Sequence, residues 1–364
     1  MKFCSDCFND SEIKSIINSI DNHDICDVLN KESDHVYDTT KHTVLTNYFD
    51  TLIELYTPAS ECKTEIDEND YVKLKYDLKD TWGIFDSNCS HRNVHNIVKS
   101  ICEDKYNESK QIFNDNIVIE ELHDINYKKE HSLLSGYSWD DFCESLKKRN
   151  RFHTSIFNTK LFSQYCWAVQ KKYKTGTKFF RARISSKNGF DIKNMGCPPF
   201  EFSKAGRVNA EGVECLYLSN NLQTTINEIR PGVGDYITVA TFELQEDILV
   251  ADLKEINRIS PFSELSPSFM IDYALNKEIL HKIHEEMSKV VRHSDSKLDY
   301  VPTQYICDFI KTLEQDKVKF AGVEYCSTVR PDGYNVAVFD QSLFKGVDTR
   351  IIEIASLHYD QKVM

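Results

Sequence analysis

KFFRARISSKNGFDIKNMGCPPFEFSKAGRVNAEGVECLYLSNNLQTTINEIRP, residues 178–231, is the stretch whose reading decides the fold. Its opening, KFFRARI, sets basic and apolar residues in alternation among β-formers. That pattern predicts a strand with Arg181 and Arg183 on one face. A loop punctuated by Gly196-Cys197-Pro198-Pro199 follows and closes on Ala205-Gly206-Arg207-Val208-Asn209, with Gly212 just beyond. Cys215-Leu216-Tyr217-Leu218 reads as a second short strand. Asn220 or Asn221 then supplies a helix cap, and the helix carries Glu228 before Arg230-Pro231 ends it. Arginine, tyrosine and glutamate thus fall at strand ends and on a helix, where a pocket for a phosphorylated ligand can collect them.

Downstream the pattern stays mixed. Residues 236–244 (YITVATFEL) and 248–253 read as adjacent strands, 269–291 as a long helix, 303–313 as another, and 320–325 and 335–339 as closing strands. Gly232-Val233-Gly234 is no dinucleotide fingerprint, because it precedes a strand where that fingerprint opens a helix. Upstream the chain reads as mainly helical. Residues 11–20 put Ile13, Ile16, Ile17 and Ile20 on one face, and 43–56 repeat the spacing with Leu45, Phe49, Leu52, Ile53 and Tyr56. Residues 91–102, 139–148 and 160–172 are further helices, and acid-rich 61–70 is an exposed loop. The chain therefore divides into an α-helical domain over 1–150, a connecting segment over 151–175, an α+β domain over 176–345 and a tail over 346–364.

Charge follows this division. The 364 residues carry a formal charge of −13, yet residues 1–150 hold 17 Lys+Arg against 30 Asp+Glu while the remainder holds 27 of each. The acidic half is unsuited to nucleic acid, whose phosphates need basic patches. The balanced half can still hold a small anion with a few aimed arginines. No apolar run reaches membrane-spanning length, and MKFCSDCF lacks an apolar signal region, so the expectation is a cytoplasmic protein with no membrane partner. The 12 cysteines, without a secretory signal, read as free thiols.

Several fragments run in order: Phe180-Arg181-Ala182-Arg183, Gly206-Arg207-Val208-Asn209 with Gly212, Leu216-Tyr217-Leu218, and Thr224-Thr225-Ile226-Asn227-Glu228. Asp252-Leu253, Pro302-Thr303-Gln304, FAGVEYCS at 320–327 and Gly333-Tyr334-Asn335 complete the series. Together they resemble the RES domain, named for its Arg, Glu and Ser residues. The resemblance implies an α+β fold: a mainly α-helical N-terminal domain followed by an ADP-ribosyltransferase-like split β-sheet domain with helices. It implies an intracellular toxin that consumes NAD+ by hydrolysis or phosphorolysis, or that transfers ADP-ribose to a protein. An Xre-type antitoxin usually restrains such toxins, in a toxin–antitoxin or phage-defence setting. A regulatory N-terminal domain and a homo-oligomer are further expectations. A non-catalytic interaction module is the remaining reading, and the intact Arg, Tyr, Glu and Ser positions argue against it.

The chemistry suits these residue types. Breaking the nicotinamide–ribose bond builds positive charge on the sugar, and a carboxylate aimed at the ribose, Glu228, can stabilise it. Arg181 and Arg207 offer planar forks for the two phosphates, with Arg183 competing with Arg181. Tyr217 supplies ring and hydroxyl against the nicotinamide, Ser327 completes the pocket, and Asn335 supports it. The bland alternatives are a solvated Glu228, a loop charge at Arg207, a core Tyr217 and a strand-end Ser327.

The start of the chain poses a separate question. Cys4-Ser5-Asp6-Cys7, with Cys26, resembles an N-terminal domain found ahead of some RES domains, where two cysteine pairs imply a zinc knuckle. Here Leu29 stands where the last cysteine is expected. Cys4, Cys7 and Cys26 with His23 could make a four-ligand zinc site, but ordinary thiols and no metal are the preferred reading. His91 and His95 lack an obvious third ligand, and Arg92 lies too close to His95 for a HEPN-type ribonuclease.

Overall fold

A computed structural model describes residues 1–289, 297–330 and 332–357. Contacts divide the chain into two compact units. One comprises Met1–Gly136 with Ile259–Lys277, the other Tyr137–Arg258 with Glu278–Met364. The division thus falls at Gly136 rather than at 150, and a later segment rejoins the first unit.

The first unit is built on helices Ser11–Asn18, Val44–Ile53 and His91–Ile101. Ile13, Ile17, Leu45, Phe49, Leu52, Val94, Ile97 and Val98 are all buried, as their helical spacing requires. Phe262 packs its ring 5.4 Å from that of Phe49, which shows how the returning segment joins this core. Short ladders accompany the helices: Lys2–Cys4 pairs antiparallel with Val36–Asp38, and Asp24–Cys26 with Lys31–Ser33. The helical expectation missed them because strands this short carry no legible alternation.

The second unit is a nine-stranded sheet. Its strands are β1 (Gln170–Tyr173), β2 (Lys178–Ser185), β3 (Leu216–Ser219), β4 (Tyr236–Leu244), β5 (Ile248–Asp252), β6 (Glu314–Gln315), β7 (Val318–Cys326), β8 (Tyr334–Val338) and β9 (Phe344–Glu353). They lie in the order β9-β4-β2-β3-β8-β7-β5-β1, with β6 on β7. The β5–β7 pair is parallel. Helices α1 (Thr159–Ala168), α2 (Leu222–Glu228), α3 (Pro267–Ser288) and α4 (Val301–Thr312) accompany the sheet, α3 contributing to this unit only from Glu278, and a shorter helix, Trp139–Glu144, precedes α1. The expected 269–291 helix is α3, and its positions 290 and 291 lie outside the described residues. Among the described residues, no helix is long and apolar enough to cross a membrane.

Three differences from the sequence reading matter. β4 and β5 are not neighbours: β4 lies between β9 and β2, and β5 between β7 and β1. Their link, Gln245-Glu246-Asp247, lacks a glycine or asparagine, and its Asp247 accepts from Thr175 N at 3.0 Å, which ties it to the β1–β2 connection instead. Residues 346–353, expected in a tail, form part of β9 and pair along β4 from Tyr236↔Glu353 to Leu244↔Phe344. The helix expected over 160–172 ends at Ala168, because Gln170–Tyr173 is drawn into the sheet edge as β1.

The sheet has a seam. β2 pairs with β4 from Lys178 to Ser185, and β3 pairs with β8 along its whole length. Between β2 and β3 the ladder holds Phe180↔Ser219 alone. The strands part there, and α2 packs beside the gap through Leu222, Ile226 and Ile229 against Ala182, Ile237 and Val239. The other face carries the main core of Phe179, Leu216, Leu218, Phe242, Val250 and Val336.

Candidate active site

A cleft of about 240 Å³ opens at the seam. Arg181 and Tyr217 line it from the parting strands, Thr225 and Glu228 from α2, Tyr325 from β7 and Asn335 from β8. The Asn221 side chain caps α2 by accepting from Thr224 N at 2.8 Å, which sets where the helix begins and so where Glu228 falls. Glu228 is the last residue of α2. A carboxylate at a helix C-terminus meets the negative end of the dipole, so it needs partners to stay put.

It has two strong ones. Ser327 Oγ donates to Glu228 Oε1 at 2.6 Å, and Asn335 Nδ2 donates to the same oxygen at 2.8 Å. Asn335 Oδ1 in turn accepts from Ser219 Oγ at 2.7 Å, which fixes the orientation of the amide. Strand register explains the convergence: Asn335 lies opposite Ser219 on one side and Tyr325 on the other, so the three side chains share a face. Ser219, Ser327 and Asn335 are buried and Glu228 is half-buried. Gly333 belongs to the same construction, because a Cβ there would stand 2.4 Å from Thr224 Oγ1.

Arg181 bridges the seam where ladder bonds are missing, its Nη1 donating to the Tyr217 carbonyl at 3.1 Å. Burial pulls its pKa below the usual guanidinium value, and among the described residues its buried Nε finds no hydrogen-bond partner. Arginine does not shed its proton to relieve this, so an anion in the cleft would meet an unsatisfied cationic donor.

Tyr217 and Arg207 are placed differently from expectation. The Tyr217 ring lines the cleft, but its hydroxyl donates to Asn209 Oδ1 at 2.6 Å and accepts from Val208 N at 3.2 Å. Burial holds that phenol well above its ordinary pKa. The hydroxyl anchors the Gly206–Asn209 turn and does not face a ligand. Gly206 must be glycine there, since a Cβ would fall 2.5 Å from the Tyr217 hydroxyl. Arg207 is not part of the cleft lining. Its Nη1 donates to the carbonyls of Glu286, at 2.8 Å, and Met287, and its Nη2 to that of Lys289. A guanidinium fork suits a bare helix end as well as a phosphate, and here it closes the C-terminus of α3. It touches the site only from behind, 5.9 Å from the ring centre of Tyr325. Arg183 is committed elsewhere too, donating to Asn194 O at 2.6 Å and stacking on Phe190.

Pro302-Thr303-Gln304 acquires a role that no spacing announced. Gln304 Nε2 donates to the carbonyls of Gly206 (2.7 Å) and Asn209 (2.9 Å), and Thr303 Oγ1 to that of Arg207 (2.9 Å). Sequence reasoning also missed Ser219, Thr225 and Tyr325 as parts of the site. Only the strand register could have revealed Ser219 and Tyr325. A second hollow of about 210 Å³, lined in part by Val208, Val301, Tyr305, Cys307 and Lys311, lies nearby. The seam cleft is the one that holds the Glu228, Ser327 and Asn335 network, which makes it the candidate site.

In the first unit, the sulfurs of Cys4, Cys7 and Cys26 lie within 4.8 Å of one another. His23 is not with them: its Nδ1 lies 2.9 Å from Asp34, on the exposed surface. His91 likewise pairs with Asp80 at 2.9 Å.

The parted sheet, the anchored carboxylate and the buried arginine define an α+β protein whose cleft sets charged and polar groups among aromatic and aliphatic side chains. The RES domain family model matches residues 179–360, half of the chain, and the chain belongs to that family. Membership ties it, at a coarse level, to toxin-like, NAD-related enzyme function. No curated protein and no solved structure matches the chain.

Proposed function

We propose that the cleft breaks the nicotinamide–ribose bond of NAD+ and passes the ADP-ribosyl group to water or phosphate. The observation that carries this reading is the Glu228 carboxylate, fixed through Oε1 by Ser327 and Asn335 at the mouth of a cleft. Among the described residues its second oxygen has no hydrogen-bond partner, so it can accept a ribose hydroxyl and offset the charge that grows on the sugar. Nicotinamide leaves with the bonding electron pair as a neutral base, so its departure needs no proton. The acceptor then adds to C1′ and, if it is water, gives up a proton. Arg181 suits the pyrophosphate, and the Tyr217 and Tyr325 rings offer planes for a base.

In this reading the fold is ADP-ribosyltransferase-like, and the chain acts on the cytoplasmic NAD+ pool as a toxin, with phage defence as one setting. An Xre-type antitoxin or another inhibitory protein restrains it, and the first unit serves regulation or assembly, including homo-oligomerisation. Expression in bacterial cells tests the proposal: NAD+ should fall and growth should stop with the wild type and not with Glu228→Gln. Unchanged NAD+ in cells that accumulate folded wild type would refute it.

A further inference from the structure

We propose that the first unit holds a structural zinc ion on four thiolates, those of Cys4, Cys7, Cys26 and Cys89. Cys4 precedes and Cys7 ends a single 3₁₀ turn, Ser5–Cys7, while Cys26 ends the strand Asp24–Cys26. All three are buried and free of disulfides. The Cys7 and Cys26 sulfurs are 3.7 Å apart. Sulfurs about 2.3 Å from a tetrahedral zinc stand about 3.8 Å from one another, whereas a disulfide would bring them to about 2.05 Å. The observed spacing rules out a disulfide and is one that neighbouring zinc ligands adopt.

Cys89 supplies the missing corner. It is fully buried and its thiol donates to the Cys7 carbonyl oxygen at 3.4 Å, which sets it beside the group, although its sulfur is not one of the three that lie within 4.8 Å of one another. The backbone delivers it there deliberately. Phe8 bridges Phe85, and Asp86 N donates to Cys7 O at 3.0 Å, so the segment before helix His91–Ile101 is laced to the first cysteine pair.

The surroundings suit thiolates. Leu29, at the position where a cysteine was expected, donates its N–H to Cys26 Sγ at 3.4 Å. The same turn is closed by Asn30 N on Cys26 O at 2.8 Å, with Asn30 at φ 50°. Such backbone donors orient sulfur ligands and stabilise their negative charge. Four thiolates around a dication leave a net negative site, and lysines lie close to offset it. Lys79 Nζ donates to the Cys89 carbonyl, and Lys31 pairs with Asp6 between the first two cysteines. Buried cysteines often serve as small apolar core residues. Here the sulfurs of Cys4 and Cys7 meet that of Cys26 from a separate segment. Zinc binding would release the four thiol protons and tie strand Lys2–Cys4, hairpin Asp24–Cys26 and the approach to His91–Ile101 into one knot.

The test uses the full-length chain purified without chelator. Metal analysis should find about one zinc per chain, as a four-ligand site requires. Replacement by cobalt should give the intense visible bands of a tetrahedral all-sulfur site. Cys89→Ser should lose the zinc and melt at lower temperature, while His23→Ala should keep both the metal and the melting point. Wild type that takes up no zinc, zinc retained at full stoichiometry in Cys89→Ser, or an intact mass showing a Cys7–Cys26 disulfide would each overturn the assignment. If Cys89→Ser does not fold, the wild-type cobalt spectrum decides, and bands of a mixed sulfur–nitrogen site would count against Cys89.

Discussion

Arg207→Ala separates two uses of one guanidinium. As a phosphate fork it would govern NAD+ affinity; as the closure of α3 it governs stability. Its Nη1 donates to the carbonyls of Glu286 and Met287 in partly buried surroundings, and its Nη2 to the exposed carbonyl of Lys289. The exposed contact contributes little after screening. The shared Nη1 donor counts as about one charge-assisted bond, about 1.5–3 kcal/mol, and the helix dipole adds about 0.3–1 kcal/mol. The expected loss is about 3 kcal/mol, or about 6–12 °C in melting temperature for a unit of this size. Arg207→Lys should recover part of that, since an ammonium reaches a helix end but cannot fork across it. Thermal unfolding by circular dichroism and NAD+ titration calorimetry, run on the same samples, decide the matter. An unchanged melting temperature with NAD+ affinity reduced at least about tenfold would refute the capping role and restore the phosphate fork.

Ser327→Ala and Asn335→Ala each remove one hydrogen bond from Glu228 Oε1, so kcat for NAD+ cleavage should fall roughly tenfold, about 1.4 kcal/mol, with KM little changed. A change confined to KM would mean that they bind substrate and do not position the carboxylate. Gly206→Ala would press a Cβ against the Tyr217 hydroxyl at 2.5 Å and Asn209 Oδ1 at 2.8 Å, at a cost of about 1–3 kcal/mol. That cost should shrink in a Tyr217→Phe background, and strictly additive costs in denaturant melts would disprove the clash. Burial raises the pKa of Asp10, whose side chain caps Ile13 N at 3.0 Å. Because the folded value then exceeds the unfolded one, its contribution to stability declines as pH rises from about 4 through the raised value. Asp10→Asn keeps the cap and should abolish that decline, and an equal decline in the variant would show that Asp10 is not its source.

What could be read in advance was whatever repeats locally. Ile13 with Ile17, and Leu45 with Phe49 and Leu52, disclosed their helices because a 3.6-residue period needs no partner to be visible. Lys178–Ser185 and Tyr236–Leu244 showed themselves as strands by composition. Strand order was not legible, since the place of Ile248–Asp252 beside Val318–Cys326 depends on a crossover and not on neighbouring residues. The meeting of Glu228 with Ser327 and Asn335 spans about a hundred residues, and only the ordered family motifs hinted at it. Arg207 misled because a guanidinium after glycine looks the same whether it awaits a phosphate or a helix end. Cys89 was overlooked for a similar reason: no spacing links it to Cys4-x-x-Cys7, and it is brought there by the backbone bridge at Phe8 and Phe85 and the Asp86 N–H on the Cys7 carbonyl.

The central claim is that Glu228 drives cleavage of NAD+, and it is tested most directly by incubating purified wild type and Glu228→Gln with NAD+ and resolving the products by mass. Both proteins should show the same melting profile, since glutamine preserves the shape of the side chain. The wild type should release nicotinamide together with ADP-ribose, or with ADP-ribose phosphate when phosphate is present, and the variant should leave NAD+ intact. A mass-shifted protein in place of free ADP-ribose would redirect the acceptor to a protein side chain. Intact NAD+ with the wild type, or cleavage by Glu228→Gln at the wild-type rate, would contradict the account.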